Sequence, residues 1–97
     1  NNEGIVLQGF AGNLEAGEVK EYTFNIPAAK KMELKLKSEN KDIAFNIYDG
    51  ENLITPTPVH DWTAIMIRSG KYKVVVTNQK AGTSKEAGDF DLKVIAY

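Results

Sequence analysis

The chain has 97 residues, of which 42% are hydrophobic and 26% charged, and its formal net charge is -1. This is ordinary globular composition, and the length predicts a single domain, residues 1–97, with a modest hydrophobic core. The charge excludes the strongly basic surface of a typical nucleic-acid-binding domain. The absence of cysteine excludes disulfide bonds and thiolate metal sites, and no stretch is long and apolar enough to span a membrane.

Alternation of apolar and polar residues dominates the chain and predicts β-strands rather than helices. The clearest example is the run in which Met32, Leu34 and Leu36 alternate with charged residues, as expected for a strand with one buried face. In chain order, the alternating runs lie at residues 5–10, 22–26, 32–37, 43–48, 53–54, 62–67, 72–77 and 90–96.

Glycine, proline, asparagine and aspartate separate these runs at short intervals, and this spacing predicts an all-β antiparallel β-sandwich of about eight strands. Residues 28–31 are predicted to form a loop, because Pro27 precedes them. The segment Asp49-Gly50-Glu51-Asn52 predicts a hairpin turn. Residues 79–88, rich in lysine, glycine, serine and threonine, predict a solvated hairpin loop between the last two strands.

The chain begins Asn1-Asn2-Glu3, without methionine and without an apolar leader. Such a start is expected for a mature protein whose signal peptide was removed, and equally for a domain excised from a longer protein. A periplasmic or secreted location is compatible with both.

Few residues have the chemistry of a catalytic nucleophile or base. His60 is the only histidine, and no nucleophile-elbow motif surrounds Ser69. A Ser-His-Asp arrangement would join Ser69, His60 and Asp61. However, the predicted strand over residues 62–67 places the serine and the histidine at its opposite ends, which counts against a triad.

Other candidate sites have simpler explanations. Asp42, Asp49, Glu51 and Asp61 coincide with predicted turns, where acidic residues are common, so they do not require a glycosidase pair. The turn over residues 49–52 lacks the alternating oxygen ligands of a calcium loop, and no glycine-rich phosphate loop is present. Trp62 is interpreted as a core anchor, with a sugar-stacking platform as the alternative. We expect a protein that is not an enzyme and that has no metal site and no cofactor.

The most informative segment is the tetrapeptide Ser69-Gly70-Lys71-Tyr72, which lies between two predicted strands. The Ser-Gly pair predicts a tight turn, because glycine accepts backbone angles that other residues resist. This turn would lift the hydroxyl group of Ser69 away from the sheet, with Tyr72 at the start of the next strand. A short polar tip on a β scaffold suits insertion into the cleft of another molecule.

The tetrapeptide resembles the SGxY signature of the periplasmic lysozyme inhibitors that act on invertebrate-type and goose-type lysozymes. Residues 21–31 are similar to the first strand pair of those bacterial proteins, and residues 69–97 to their C-terminal hairpin. The resemblance implies that the loop enters the substrate cleft of a lysozyme. There Ser69 would bond near the catalytic carboxylates, Gly70 would permit the turn, and Tyr72 would support or contact the cleft.

The same resemblance implies an inhibitory loop made of Ser69, Gly70, Lys71 and Tyr72, with Lys80 and Lys85 as auxiliary contacts. The implied partner is a lysozyme, with no role for nucleic acid or a membrane. Those inhibitors often carry an arginine-rich segment after the motif, whereas residues 74–80 here contain no arginine. Because lysine does not reproduce the geometry of arginine, the class of lysozyme stays open.

A second resemblance leads to a different function. Residues 17–28 and 69–76 are also similar to small β-sandwich modules found C-terminal to secreted bacterial peptidases. In such modules the Gly-X-Tyr segment is a hairpin feature that starts a core strand. This alternative implies a buried Tyr72, no role for Ser69, and a module that binds carbohydrate or protein.

Overall fold

The computed structural model describes residues 4–26, 29–67, 69–78 and 87–97. Within these ranges there is no helix that is long and apolar enough to cross a membrane. The all-β class and the number of strands predicted from the sequence are confirmed. The strands are β1 (Ile5–Leu14), β2 (Val19–Ile26), β3 (Ala29–Lys37), β4 (Ile43–Asp49), β5 (Asn52–Leu53), β6 (Asp61–Ile67), β7 (Gly70–Asn78) and β8 (Gly88–Ala96).

The strands form two antiparallel sheets of four strands each. Sheet A has the order β1-β8-β3-β6, and sheet B has the order β2-β7-β4-β5. Among the strands of the described residues, only β4 and β5 are consecutive and lie in the same sheet, so the other consecutive strands lie in different sheets. This arrangement confirms the predicted antiparallel sandwich and shows that most of its connections are not hairpins.

The inward side chains of both sheets form the core. Met32 and Leu34 are fully buried, as the alternating pattern of β3 predicts, while Leu36 is half-buried and packs against the core. Phe45 of sheet B is also fully buried. Burial of one such side chain stabilises the fold by about 1.5–3 kcal/mol. Trp62 is half-buried and packs against the same core, in agreement with the anchor interpretation.

Two strands begin or end elsewhere than predicted. The loop predicted over residues 28–31 is wrong for Ala29 to Lys31, because these residues start β3 and pair with the end of β6. Residue 28 lies outside the described ranges. β1 continues beyond residue 10 as far as Leu14, since its second half pairs with β8. In both places, pairing with a distant strand overrides a weak local preference.

The predicted turn at Asp49-Gly50-Glu51-Asn52 is confirmed. Asp49 and Asn52 pair across it, and Gly50 has a φ of 63°, a left-handed conformation that glycine adopts without strain. The hairpin predicted between the last two long strands is wrong, because β7 belongs to sheet B and β8 to sheet A. Residues 79–86 of that connection lie outside the described part of the chain.

The two ends of the sandwich carry different segments. Antiparallel pairing places Gly70, at the start of β7, opposite Ile26 at the end of β2, and places Tyr72 opposite Asp49 at the end of β4. We call this end the tip end, because it carries Ser69. The connections over residues 15–18 and 38–42 lie at the other end, which we call the far end.

Candidate functional site

Ser69 lies in the short connection between β6 and β7, at the tip end of the sandwich. The side chains of Ser69 and Lys71 are exposed, and so is Gly70. The tight turn predicted here joins strands of different sheets, because β6 pairs with β3 in sheet A whereas β7 pairs with β2 and β4 in sheet B. The connection therefore bridges the two sheets and stands at the end of the sandwich.

Gly70 has a φ of 150°, which lies outside the range that L-amino acids with side chains normally adopt. A Cβ atom built at this position would meet no atom within 4 Å. The need for glycine is therefore conformational rather than steric. The positive φ lets the chain turn from the bridging connection into β7 directly after Ser69.

Tyr72 anchors the start of β7 in the core. Its side chain is only 5% exposed, and its ring stacks on that of Phe24 with a centroid separation of 6.2 Å and an interplanar angle of 18°. Phe24 and Tyr72 are register partners in sheet B, so pairing and ring contact act together. Of the two roles considered for Tyr72, this burial matches support of the tip rather than direct contact with a partner.

The separation predicted for His60 and Ser69 is confirmed. β6, a strand of seven residues, lies between them, and at a rise of about 3.3 Å per residue it spans roughly 23 Å. The imidazole Nε2 of His60 lies 3.1 Å from the carbonyl oxygen of Lys41. The two residues therefore do not form a Ser-His pair.

The predicted auxiliary contacts, Lys80 and Lys85, lie outside the described residues. The nearest described strand residues on either side, Asn78 and Gly88, are at the far end of the sandwich. The nine residues of β7 separate that end from Ser69 by about 30 Å.

Some residues lie close to the tip in the structure although the sequence did not predict their proximity to it. Thr23, Gly50 and Lys73 line a shallow depression of about 190 Å³ together with Lys71 and Tyr72. These positions are brought together by pairing of β2, β7 and β4. The one available signal was the alternation within β7, which turns Lys71 and Lys73 to the face opposite Tyr72.

Two larger open depressions, of about 570 and 610 Å³, lie at the far end. Glu39 and Asp89 line both depressions, and Lys37 and Lys41 line only the first. No group of three or more histidine, cysteine, aspartate or glutamate residues in the described ranges is placed to hold a metal ion.

No protein-family profile and no curated protein sequence matches the chain. Its structure is similar to that of PliG from Aeromonas hydrophila, a periplasmic lysozyme inhibitor of g-type lysozyme. The TM-score is 0.69 at 19% identity, covering 91% of this chain and 84% of that chain. PliG from Salmonella Typhimurium, also a periplasmic inhibitor of g-type lysozyme, gives a TM-score of 0.57 at 13% identity, covering 91% of this chain and 86% of that chain.

A mutant of PliG from Escherichia coli, another inhibitor of g-type lysozyme, gives the same TM-score of 0.57 at 13% identity, with the same coverage of 91% and 86%. The likeness spans nearly the whole of both chains, so the architecture is shared and not a local motif. The resemblance suggested by Ser69-Gly70-Lys71-Tyr72 is thereby confirmed at the level of the fold. The chain has the fold of the periplasmic inhibitors of g-type lysozyme.

Proposed function

We propose that this protein is a non-enzymatic inhibitor of lysozyme that acts in the periplasm of a bacterium or outside the cell. A g-type lysozyme is the first target to test, because the PliG proteins of the same fold inhibit that class. The observation that carries the proposal is an exposed Ser69-Gly70 tip at one end of this fold. The tip inserts into the substrate cleft of the enzyme.

The chemistry of the tip suits a cleft that contains carboxylates. Glycoside hydrolases generally use a pair of aspartate or glutamate residues beside the scissile bond. The hydroxyl group of Ser69 donates a hydrogen bond to such a carboxylate, and bonds of this charge-assisted kind are the stronger ones. The exposed ammonium group of Lys71 lies next to the tip and adds attraction. Auxiliary contacts from Lys80 and Lys85 remain a prediction.

The tip is held in place before it binds. Pairing of Gly70 with Ile26 and stacking of Tyr72 on Phe24 hold the start of β7 against the sheet and the core. Because little backbone freedom is then lost on binding, more of the contact energy appears as affinity. Tyr72 in this mechanism is a positioning residue.

A second candidate function has one observation in its favour. A non-catalytic accessory module that binds carbohydrate or protein implies a buried Tyr72, and Tyr72 is buried. Co-sedimentation with insoluble peptidoglycan in the absence of lysozyme discriminates the two functions. The accessory module binds the polysaccharide by itself, whereas the inhibitor is retained only when lysozyme is present.

The proposed function is tested by the lysis rate of a cell-wall suspension with goose-type, invertebrate-type and chicken-type lysozymes. We expect the protein to inhibit the g-type enzyme at micromolar concentration or below. Ser69→Ala removes one hydrogen bond to a charged group, so we expect the inhibition constant to rise by about 10–100-fold.

Thr63→Ala is the matched control, because it removes an exposed hydroxyl group from the outer face of sheet A. We expect it to inhibit like the unmodified protein, and thermal melts check that both variants are folded. Absence of inhibition of all three lysozyme classes would refute the proposed function. Equal inhibition by Ser69→Ala and the unmodified protein would show that the tip takes no part in inhibition.

A further inference from the structure

One edge of sheet A is open to pairing with another strand. β1 is the outermost strand of this sheet and pairs with β8 along one side. Its ten residues include no charged side chain and no proline, although charged residues and proline are what usually keep an edge strand from pairing. A bulge interrupts β1 between Val6 and Gln8, but the pairing with β8 is regular from Gln8 to Leu14. This regular part is able to accept a further strand.

The other edges of the two sheets are less open. β2 carries Lys20 and Glu21, and β6 begins with Asp61. β5 has two residues. Charged side chains and short length both protect an edge strand from pairing. Among the edge strands of the described residues, β1 is the longest and has the weakest protection.

The backbone of β1 has unused hydrogen-bonding groups. In an antiparallel sheet, every second residue of an edge strand directs its N–H and C=O groups away from the neighbouring strand. Over residues 8–13 these groups make no hydrogen bond to another described part of the chain. The carbonyl oxygen of Leu14, by contrast, accepts a hydrogen bond from Nδ2 of Asn78 at 3.0 Å. Residues 8–13 are therefore where a further strand gains hydrogen bonds.

Apolar side chains border this edge. Phe10 of β1 stacks on Tyr22 of β2 with ring centroids 4.3 Å apart, and both residues are half-buried against the core. Leu7 is half-buried against the same core. Ile5 and Val6, at the start of β1, are 69% and 55% exposed. An edge bordered by such groups favours a partner that covers them.

We propose that a second copy of this chain pairs with this edge, so that two β1 strands run antiparallel and form a dimer. A two-fold axis perpendicular to sheet A relates the copies and joins their four-stranded sheets into one sheet of eight strands. Both copies use the same edge, so the assembly closes at two chains. The identical strand suits this edge because it brings no charge to the contact and offers matching backbone groups.

The best match centres the pair on Phe10. The Phe10 rings then face each other between the sheets as a cross-strand aromatic pair, and Gly9 faces Ala11 on the outer face. A Cβ at Gly9 would meet no atom within 4 Å, whereas one at Gly12 would lie 3.2 Å from Nζ of Lys20. One ammonium group therefore borders the edge in each copy. In this register the two ammonium groups are about 13 Å apart, beyond the screening length of about 8 Å in physiological salt.

The buried area is sufficient for a reversible dimer. The side of the sandwich that carries β1 is about 30 Å long, and the molecule measures 18 Å in its shortest dimension. Contact over this side buries about 1,000 Å² in total, which is near the lower limit for a specific interface. We therefore expect a dissociation constant of about 1–100 μM.

The dimer leaves the tips free. β1 begins at the tip end, where Ile5 pairs with Ala96, and it ends at the far end. Because the two β1 strands run in opposite directions, the two copies of Ser69 lie at opposite ends of the dimer. Dimerisation therefore neither requires nor blocks the proposed inhibition, and it is measured without lysozyme.

Sedimentation equilibrium of the unmodified protein tests the proposal. Between about 5 and about 500 μM, we expect the average mass to rise from that of one chain, 10.7 kDa, towards twice that value. Over the same range, the NMR signals of the amides of residues 8–12 shift and their hydrogen exchange slows. The amide signals of β6, on the opposite edge of sheet A, stay unchanged.

Ala11→Lys places a charge on the paired edge. Ala11 is exposed and lies opposite Asp91 of β8, so the single chain accepts the lysine without burying a charge. In the dimer the new ammonium group faces Gly9 of the other copy, whose own register partner is Lys93. We expect the dissociation constant of the dimer to rise by about 10-fold or more, because like charges meet at an edge that was uncharged.

Thr63→Lys is the matched control. Thr63 is exposed on β6, at the other edge of sheet A, and lies opposite Glu33. This substitution changes the net charge equally and also places a lysine opposite a carboxylate. We expect it to dimerise like the unmodified protein, and thermal melts establish that both variants are folded.

Three results would overturn the proposal. The first is an unmodified protein that stays monomeric up to about 500 μM. The second is growth beyond two chains, because open assemblies require β1 to pair with a different edge. The third is an equal dissociation constant for Ala11→Lys and Thr63→Lys, or amide shifts confined to another surface, either of which would show that association does not use β1.

Discussion

At the scale of residues, the tip combines three exposed residues with one buried residue that follows them. Ser69, Gly70 and Lys71 are exposed, while Tyr72 is buried against Phe24. The tip is exposed at its end and is anchored by the third residue of β7, which limits its conformational freedom. In the proposed mechanism, Ser69 and Lys71 contact the enzyme, Gly70 permits the turn, and Tyr72 supports the tip.

Gly70→Ala tests the conformational role of the glycine. The added methyl group meets open space, so any loss of stability arises from the backbone conformation at φ 150° and not from a clash. We expect the free energy of unfolding to fall by about 1–3 kcal/mol. Chemical denaturation measures it, and the lysis assay reports whether the tip has moved.

Gly9→Ala is the control for that experiment. A Cβ at Gly9 also meets nothing within 4 Å, but the φ of Gly9 is not positive. Because glycine weakens a strand interior, we expect Gly9→Ala to leave stability unchanged or raise it by about 0.5 kcal/mol. If both substitutions change the free energy of unfolding equally, a side chain at position 70 causes no backbone strain.

At the scale of elements, the last strand is fastened to β3 by its final residues. The amide of Tyr97 donates to the carbonyl oxygen of Lys31 at 2.9 Å, and the phenol donates to Oε1 of Glu33 at 2.8 Å. The Nζ of Lys31 lies 4.1 Å from the centroid of the Tyr97 ring. These contacts hold the C-terminus against the centre of sheet A, at the tip end.

The contact between Tyr97 and Glu33 has a measurable signature. The hydrogen bond to Glu33, followed by desolvation and the negative charge of Glu33, raises the pKa of the Tyr97 phenol above its ordinary value. The folded pKa then exceeds the unfolded one, so the contact stabilises the fold below the unfolded pKa. That contribution is lost as the pH rises through the folded pKa, in the alkaline range.

We expect Glu33→Gln to lower the pKa of Tyr97 towards its ordinary value, because the substitution removes the charge of the acceptor. An NMR titration of the Tyr97 ring measures the shift, and Tyr97→Phe identifies the resonance. Glu21→Gln is the control, since Glu21 lies in sheet B and contacts Lys73 instead. An unchanged Tyr97 pKa in Glu33→Gln would contradict the assignment of this hydrogen bond.

At the scale of the whole molecule, the sandwich has two chemically distinct ends. The tip end carries Ser69, whereas the far end carries two open depressions with charged linings. The length of β7 keeps these ends about 30 Å apart. An inhibitor that inserts its tip therefore leaves the far end in solvent.

Bulky labels attached at the two ends of the sandwich test which end contacts the enzyme. The chain contains no cysteine, so one introduced cysteine gives a single attachment site. A maleimide-linked polymer on Lys71→Cys blocks entry into a cleft, and we expect inhibition to be abolished. The same polymer on Glu39→Cys, exposed at the far end, leaves inhibition within about twofold, because a binding surface extends only over one side of a small protein. The reverse result would place the inhibitory surface at the far end.

Much of the fold was predictable from the sequence, because the alternation within a single strand shows which of its side chains face the core and which face solvent. Met32 and Leu34 alternate with Glu33 and Lys35 along β3, and the structure buries the first pair completely. The all-β class, the number of strands and the turn at Gly50 follow from such local patterns. The turn at Ser69-Gly70 was predicted in the same way, from the conformational freedom of glycine.

The pairing of strands was not predictable by the same means. Two successive alternating runs look alike whether they form a hairpin or lie in opposite sheets, since the local pattern records burial and not the hydrogen-bonding partner. For this reason the sequence did not reveal that β6 and β7 lie in different sheets, and the hairpin predicted between β7 and β8 is wrong. Residues 29–31 became strand only through pairing with β6.

The sequence by itself therefore determined which side chains avoid water and where the chain is able to turn. Only the tertiary structure decided that Ser69 bridges two sheets, that Tyr72 stacks on Phe24, and that Lys73 faces the same side as Tyr48. The physical reason is that these relations depend on strands far apart in the chain, whose contacts form when both sheets close over one core.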